Sequence, residues 1–208
     1  SGATTEQVER KYLERAAKNI EDYRMDRATI RFTDGKAHSV RPEKVEIEQI
    51  SHDFLFGCII FDLIGDNAYK PLLYKKRFSR LFNFAVFPFY WKSYERRPGH
   101  TRREEFLPVL RWCRDNGITC KGHPLVWTHQ AGVPEWLSDR SPEAGEKLLE
   151  QRVRNIVSGY RDHIQMWDVV NESVHTRTWS DLDSGNYVQE PVDDVADYVE
   201  KCFRWVHA

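Results

Sequence analysis

The clearest chemical signal in this chain lies where an apolar run ends in a carboxylate. Residues 164–170 form that run, and Asn171 and Glu172 follow it directly. A glutamate at the end of a buried strand can exchange protons with a substrate, which is the work of a general acid/base. Another apolar run carries His123 and Trp127 at its end. The two endings are therefore candidates for parts of one active site.

The order of elements along the chain predicts how these endings meet. Four apolar runs have the length and composition of buried parallel strands: residues 54–61, 83–89, 118–127 and 164–170. Thr101 and Glu104 form a capping-box pattern that predicts the start of one helix between them. Ser141 followed by Pro142 predicts the start of another, and residues 192–206 form a last amphipathic segment. Strand–helix units in succession predict a parallel sheet with right-handed crossovers.

This repeat places the chain in the α/β class, as about the first four units of a TIM (β/α)₈ barrel. Polar and aromatic residues gather at the carboxyl ends of the predicted strands, where the active site of such a barrel lies. None of the strands is followed by G-x-G-x-x-G, which argues against a dinucleotide-binding fold. A complete barrel takes about 250 residues. We therefore assign residues 53–208 to the first half of a barrel.

The preceding residues, 1–52, form a separate part in this interpretation. Residues 6–24 carry apolar side chains every four positions between charged ones, which predicts an amphipathic helix. Residues 28–32 and 44–50 have strand-like patterns, and a turn signal lies at Asp34-Gly35. We expect these two segments to pair as a small β-hairpin.

The composition excludes some partners. Lys and Arg total 31 against 32 Asp and Glu, so no net field favours nucleic acid or an anionic membrane. No run approaches the roughly 18 apolar residues that a membrane span needs. The four cysteines lack metal-type spacing, and Cys58 and Cys120 lie in apolar runs where we expect burial. The aromatic content of 13% is compatible with sugar binding but is more typical of core filling.

Three motifs together resemble glycoside hydrolase family 10, whose members are chiefly endo-β-1,4-xylanases. They are Gly122-His123-Pro124-Leu125-Val126-Trp127, Pro134-Glu135-Trp136-Leu137 and Trp167-Asp168-Val169-Val170-Asn171-Glu172. They occur in the family's order and near its spacing, and the resemblance covers roughly residues 54–208. The chain is therefore similar to the front half of the family's catalytic barrel.

The resemblance implies a retaining glycosidase that cleaves β-1,4-linked xylan or a related plant polysaccharide. Glu172 matches the general acid/base, and Asn171 matches the residue that binds the 2-hydroxyl of the cleaved sugar. Further substrate-binding side chains are implied at His123, Trp127, Gln130, Trp91 and Tyr90. The resemblance implies no cofactor and no metal, and it implies a secreted or periplasmic protein, although no signal peptide is visible in this sequence.

The second strand departs from the family pattern. Family members usually carry an acidic-Asn-x-Met-Lys-Trp run there, whereas this chain has Val86-Phe87-Pro88-Phe89-Tyr90-Trp91. The tryptophan is kept, while Phe87 and Tyr90 replace the asparagine and the lysine. We expect a sugar subsite with fewer hydrogen-bond donors, which leaves the exact sugar open.

The family's nucleophile, a glutamate at the end of strand seven, is the second departure. A retaining glycosidase needs two carboxyl groups about 5–5.5 Å apart. The acids of residues 181–194 belong to a predicted loop and helix start, where carboxylates favour exposed backbone donors. We therefore expect this chain to be inactive alone, with the rest of the barrel in a continuation of the chain, a second chain or a second copy.

Two other functions stay open. A metal-dependent hydrolase could use nitrogen and oxygen ligands from His123, His129, Asp168, Glu172 and His175. We expect Asp168 to share the face of Val170, away from such a metal. A non-catalytic carbohydrate-binding protein or half-barrel fragment is the other alternative, because a half barrel leaves sheet edges to be covered by a partner.

Overall fold

The computed structural model describes residues 4–65, 70–173 and 195–207. Contacts divide the chain into two compact units, Ser1–His52 and Asp53–Ala208. The first unit contains helix α1 (Thr5–Arg24), which confirms the predicted helix. Its first turn is closed by a capping box, in which Thr4 and Gln7 each donate a backbone N–H to the other's side chain.

The predicted hairpin of the first unit is wrong in both of its strands. The Asp34 carboxylate accepts backbone N–H groups from Lys36 at 2.8 Å and His38 at 2.9 Å, and one antiparallel bridge joins Thr33 to Ser39. Neither residues 28–32 nor residues 44–50 form a strand. The turn pairs with the residues that follow it at once, since a short loop costs less entropy to close than a long one.

The second unit is built on four parallel strands that pair in the order of the sequence. They are β1 (Gly57–Ile59), β2 (Phe84–Pro88), β3 (Thr119–His123) and β4 (Met166–Trp167). Val86 is the partner of both Ile59 and Lys121, and Gly122 is the partner of Trp167. The four predicted strands are thus confirmed in number and direction, although each is shorter than its apolar run.

Helices alternate with these strands. They are α2 (Pro71–Leu81), α3 (Trp91–Tyr94), α4 (Arg103–Asp115), α5 (Pro142–Tyr160) and α6 (Val195–His207). The predicted start of α5 is confirmed, because the Ser141 hydroxyl accepts the N–H of Ala144 at 3.3 Å. None of the helices in the described ranges is long and apolar enough to cross a membrane.

The predicted capping box of α4 is wrong. The helix begins at Arg103, one residue later than a Thr101 N-cap would require. The N-cap residue is Arg102, whose side chain makes no capping hydrogen bond. Its guanidinium instead binds the Glu105 carboxylate at 2.8 Å and the carbonyl of Ile64 at 3.3 Å. A salt bridge that also reaches a neighbouring loop has replaced the local cap.

The core lies between the sheet and its helices. Phe87 and Phe89 of the second-strand run both pack against Phe106 of α4, with ring centroids 5.9 and 4.9 Å apart. Gly122 faces this layer as well, and a Cβ there would stand 2.0 Å from the Trp167 ring. Only glycine permits β3 and the Trp167 ring to approach so closely.

The cysteines divide between surface and interior. Cys120 is buried, as predicted, whereas Cys58 is exposed, so the prediction for Cys58 is wrong. β1 pairs only with β2 in this unit, which leaves its other side uncovered within the described residues. An apolar run at the edge of a sheet therefore does not guarantee burial.

Candidate active site

Backbone pairing continues past the ends of β3 and β4 and brings the two endings together. The N–H of Val126 donates to the carbonyl of Val169, and the N–H of Asn171 donates to the carbonyl of Val126, both at 2.9 Å. This extension places Trp127 and Glu172 side by side at the carboxyl edge of the sheet. The predicted meeting of the two motifs is confirmed by this geometry.

The Glu172 carboxylate accepts a hydrogen bond from an indole, and its backbone conformation is unusual. The Trp127 Nε1–H group donates to Oε2 of Glu172 at 2.9 Å, and the Glu172 side chain is otherwise exposed. Its φ of 52° lies in the left-handed region, which costs a non-glycine residue of the order of 1–3 kcal/mol. Such strain persists where surrounding contacts fix it, and it concentrates at functional sites.

His123 is held by a carboxylate on the neighbouring strand. Asp168 Oδ2 lies 2.8 Å from His123 Nδ1 and 2.8 Å from Lys121 Nζ. Burial raises the pKa of Asp168, but the hydrogen bonds from Lys121 and His123 outweigh that effect and the net pKa is lowered. An ionised carboxylate only accepts hydrogen bonds, so Nδ1 of His123 carries a proton and donates it to Asp168.

Aromatic rings form one wall beside Glu172. Tyr90 stacks on Phe61 with centroids 5.7 Å apart and meets Trp127 at 5.5 Å, while Trp127 stacks on His129 at 4.4 Å. The Phe61, Tyr90 and Trp127 rings line a cavity of about 620 Å³. Burial, with the Glu172 carboxylate as the second cause, raises the pKa of the Tyr90 hydroxyl and keeps it a neutral donor.

Other predicted site residues lie elsewhere. Trp91 is only 3% exposed, and its indole N–H donates to Glu95 at 2.8 Å, so it belongs to the core beneath the cavity wall. Gln130 is exposed in the loop after β3. Phe87 is fully buried against the helices, so of the two exchanges in the second-strand run only Tyr90 reaches the cavity.

A buried arginine supports the wall from behind. Arg152 of α5 donates hydrogen bonds from its two terminal nitrogens to the backbone carbonyls of Phe89 and Leu125. Its guanidinium also lies 5.2 Å from the centroid of the Trp91 ring. Burial lowers the pKa of Arg152 to about 10, which leaves it charged at neutral pH. One side chain therefore fixes the backbone just before Tyr90 and two residues before Trp127.

Several residues of the site are not among those that the sequence predicts. Lys121 stands two residues before His123 on the same strand, so the alternation of a strand already places both on one face. Phe61 ends an apolar run, and nothing in its local pattern distinguishes a ring of the cavity wall from a ring of the core. Arg152 looks like one more charged residue of an amphipathic helix, and only the three-dimensional packing explains its burial.

The proposed metal ligands do not converge in the part of the chain that the structure describes. No group of three or more His, Cys, Asp or Glu side chains there could hold an ion. His129 stacks on Trp127, and its Nδ1 lies 3.1 Å from the N–H of Ala131. His175 and the acids of residues 181–194 lie outside the described residues. The expectation that Asp168 points away from the proposed metal ligands is wrong, because its carboxylate contacts His123 as well as Lys121.

Comparison with known families identifies the second unit. The model of glycosyl hydrolase family 10 matches residues 50–208. The chain belongs to this family. Among curated relatives, endo-1,4-beta-xylanase 5 of Arabidopsis thaliana is 26% identical over 160 residues, which cover 75% of this chain and 27% of the relative. Endo-1,4-beta-xylanase B of Thermotoga neapolitana is 35% identical over 110 residues, covering 50% and 29% respectively.

Solved structures of the family share the fold. A GH10 endoxylanase from a sugarcane soil metagenome superposes with a TM-score of 0.58 at 20% identity, covering 74% of this chain and 45% of that one. Xylanase 10B of Thermotoga petrophila, solved with xylobiose, gives 0.54 at 21% identity, covering 72% and 44%. The second unit is thus part of a (β/α)₈ barrel, and this chain spans less than half of either solved chain.

Proposed function

We propose that these residues form the acid/base half of a retaining glycosidase that cleaves β-1,4-linked xylan or a related plant polysaccharide. The observation that carries the proposal is the setting of Glu172. It lies at the carboxyl edge of the sheet, in a left-handed backbone conformation, hydrogen-bonded to Trp127 beside an aromatic cavity. The match of the chain to glycosyl hydrolase family 10 supports hydrolysis as the reaction class.

The geometry suggests how the residues would divide the work. Glu172 would protonate the leaving glycosidic oxygen and later take a proton from the attacking water. Trp127 already holds Oε2, so Oε1 is the oxygen free to face the substrate. The rings of Tyr90 and Trp127 offer flat surfaces to sugar rings, and Asn171 and His123 Nε2 offer polar contacts beside them.

The nucleophile is the missing part of this proposal. It would be a carboxylate about 5–5.5 Å from Glu172, on a later strand of the complete barrel. That strand would belong either to the continuing polypeptide or to a second chain. Residues 53–208 by themselves would then bind sugar without hydrolysing it.

The test is Glu172→Gln in the intact polypeptide that carries these residues. Turnover of xylan, whose leaving group is poor, should fall by about 10²–10⁴, because general acid catalysis contributes that much. Turnover of an aryl xyloside with a good leaving group should fall far less. Glu150→Gln, which removes a half-exposed carboxylate of α5, is the matched control and should leave both rates unchanged. Equal rates for Glu172→Gln and wild type would contradict the assignment.

A second function is favoured by one relative. Anti-sigma-I factor RsgI6 of Acetivibrio thermocellus is 26% identical over 166 residues, which cover 79% of this chain and 21% of that protein. That protein is named for a regulatory role, and we keep a non-catalytic carbohydrate-binding role of this chain as the alternative. Binding of xylo-oligosaccharides by the intact protein without any hydrolysis would favour the alternative over the glycosidase.

A further inference from the structure

The turn between α4 and β3 brings two cysteines together. α4 ends at Asp115 and β3 begins at Thr119, and the N–H of Ile118 closes the reversal by donating to the carbonyl of Cys113 at 2.9 Å. Cys120 follows Ile118 by two residues, so both side chains point to the helix face of the sheet. The Cys120 thiol donates to the carbonyl of Ile118 at 3.6 Å, which keeps its sulfur close to the turn.

The two thiols contact each other inside the core. Cys113 is completely buried, and Cys120 is 6% exposed. The hydrogen bond with Cys120, with burial as the second cause, raises the pKa of the Cys113 thiol. Cys58 and Cys202 interact with tyrosine side chains instead. Among the four cysteines, all of which the structure describes, Cys113 and Cys120 therefore form the pair that is placed for a disulfide bond.

A cavity of about 460 Å³ gives small molecules a path to this pair. It lies at the amino edge of the sheet, opposite the candidate active site, because Thr119 and Met166 at the starts of β3 and β4 line it. Cys120 lines the cavity too, whereas Cys113 lies behind it in the core. A reagent in the cavity would therefore meet Cys120 first.

We propose that Cys113 and Cys120 are a dithiol that a low-molecular-weight disulfide oxidises to a bond joining α4 to β3. Cys120 gives its proton to solvent, and its thiolate attacks the reagent RSSR, which releases one RSH and leaves a mixed disulfide. Cys113 then loses its proton and attacks the Cys120 sulfur, which releases the second RSH. Two protein thiols are oxidised and one RSSR is reduced to two RSH. This inference is independent of the proposed carbohydrate function.

Equilibration with glutathione tests the geometry. The chain is incubated with mixtures of reduced and oxidised glutathione, in native buffer and in unfolding urea, from both the reduced and the oxidised protein. After alkylation of the remaining thiols, trypsin cleaves after Arg111, Arg114 and Lys121, so the bond joins peptides 112–114 and 115–121. The effective concentration of the two thiols should be at least about tenfold higher in native buffer, because the fold holds the sulfurs together.

Single variants test the order of the two steps. Cys113→Ser keeps the thiol that lines the cavity, and it should form a mixed disulfide with glutathione in native buffer. Cys120→Ser keeps only the thiol behind the cavity, and its modification should be at least about tenfold slower, because a buried thiol with a raised pKa is inert. Cys202→Ser is the control and should keep the linked peptides. Circular dichroism of each variant checks that the fold is retained.

The outcomes separate this inference from the proposed function. An effective concentration in native buffer equal to or below that in urea overturns the inference, since the fold would then not favour the bond. A bond that involves Cys58 or Cys202 in place of this pair also overturns it. Modification of Cys120→Ser as fast as Cys113→Ser overturns the order of attack. None of these results changes what is expected of Glu172→Gln.

Discussion

Phe89 and Tyr90 are neighbours in the chain, yet they face opposite sides of the sheet. Phe89 is completely buried against the helices and meets the rings of Phe106 and Tyr160 at 4.9 and 5.0 Å. Tyr90 lies in the cavity wall, partly exposed, beside Trp127. Successive residues of an extended chain point to opposite faces, so one backbone segment serves both regions.

The difference shows that the two faces of the sheet contribute differently to folding and to ligand binding. The helix face buries apolar area, which is the main stabilising contribution to folding. The cavity face keeps polar groups and rings partly exposed, where they contribute less to stability but remain free to bind. Substitutions on the helix face should therefore change the free energy of unfolding, and substitutions on the cavity face should change affinity.

The largest expected effect is that of Phe89→Ala. Removing a fully buried ring leaves a cavity between β2, α4 and α5 and should lower the free energy of unfolding by about 3–5 kcal/mol. Urea denaturation monitored by far-ultraviolet circular dichroism measures it. A loss below about 1 kcal/mol would mean that the helix layer does not pack as the structure describes.

Tyr90→Ala is the matched test on the opposite face. It removes a ring of similar size from the same segment, but one that is partly exposed, so the stability loss should be well under half that of Phe89→Ala. Affinity for a neutral xylo-oligosaccharide should fall about tenfold, because stacking against a sugar ring is lost. Equal destabilisation by Tyr90→Ala and Phe89→Ala would contradict the assignment of the two rings to different faces of the sheet.

The next effect comes from Arg152, which links the two faces. Arg152→Met leaves the buried carbonyls of Phe89 and Leu125 without donors, while relieving the cost of burying the charge. We expect a net loss of about 2–4 kcal/mol in the free energy of unfolding. We also expect weaker oligosaccharide binding, because the backbone at Tyr90 and Trp127 loses a shared anchor.

Arg154→Met is the control on the same helix. Arg154 forms a half-exposed ion pair with Glu150 at 2.8 Å, and exposed pairs contribute at most about 1 kcal/mol. Its removal should leave oligosaccharide binding unchanged. If Arg152→Met lost stability and kept full affinity, the arginine would support the core alone and not the cavity wall.

The sequence predicted the parts of this molecule whose signal is local. The apolar runs gave the four parallel strands, and Ser141 marked the start of α5, because both depend on neighbouring residues. The endings at His123 and Glu172 were also recognisable, since parallel strands bring their carboxyl ends to one edge.

What the sequence could not predict depends on a choice between competing contacts. Residues 44–50 have a strand pattern but form no strand, because the Asp34 turn closes on nearer residues. Trp91 follows Tyr90 and is the residue of the second-strand run that matches the family pattern, yet its indole is buried and donates a hydrogen bond to Glu95. Chain pattern alone cannot say which of two adjacent rings faces the cavity.

The smallest expected effect tests the cavity face itself. Asp168→Asn keeps the shape of the side chain and removes the charge that holds Lys121 and His123. Because Asp168 is about a third exposed, solvent screening limits the loss to about 0.5–1 kcal/mol at pH 7.

The pH dependence of the free energy of unfolding tests whether Asp168 stabilises the fold through its charge. The pKa of Asp168 is lowered in the folded protein, so its contribution is complete above the ordinary value of 3.8 and is lost as the pH falls through the lower folded value. The gap in unfolding free energy between wild type and Asp168→Asn should therefore close below about pH 4. Lys121→Met removes one of the groups that lower this pKa, and should move the closing of the gap toward higher pH. A gap that persists in acid would mean that Asp168 acts through packing and not through charge.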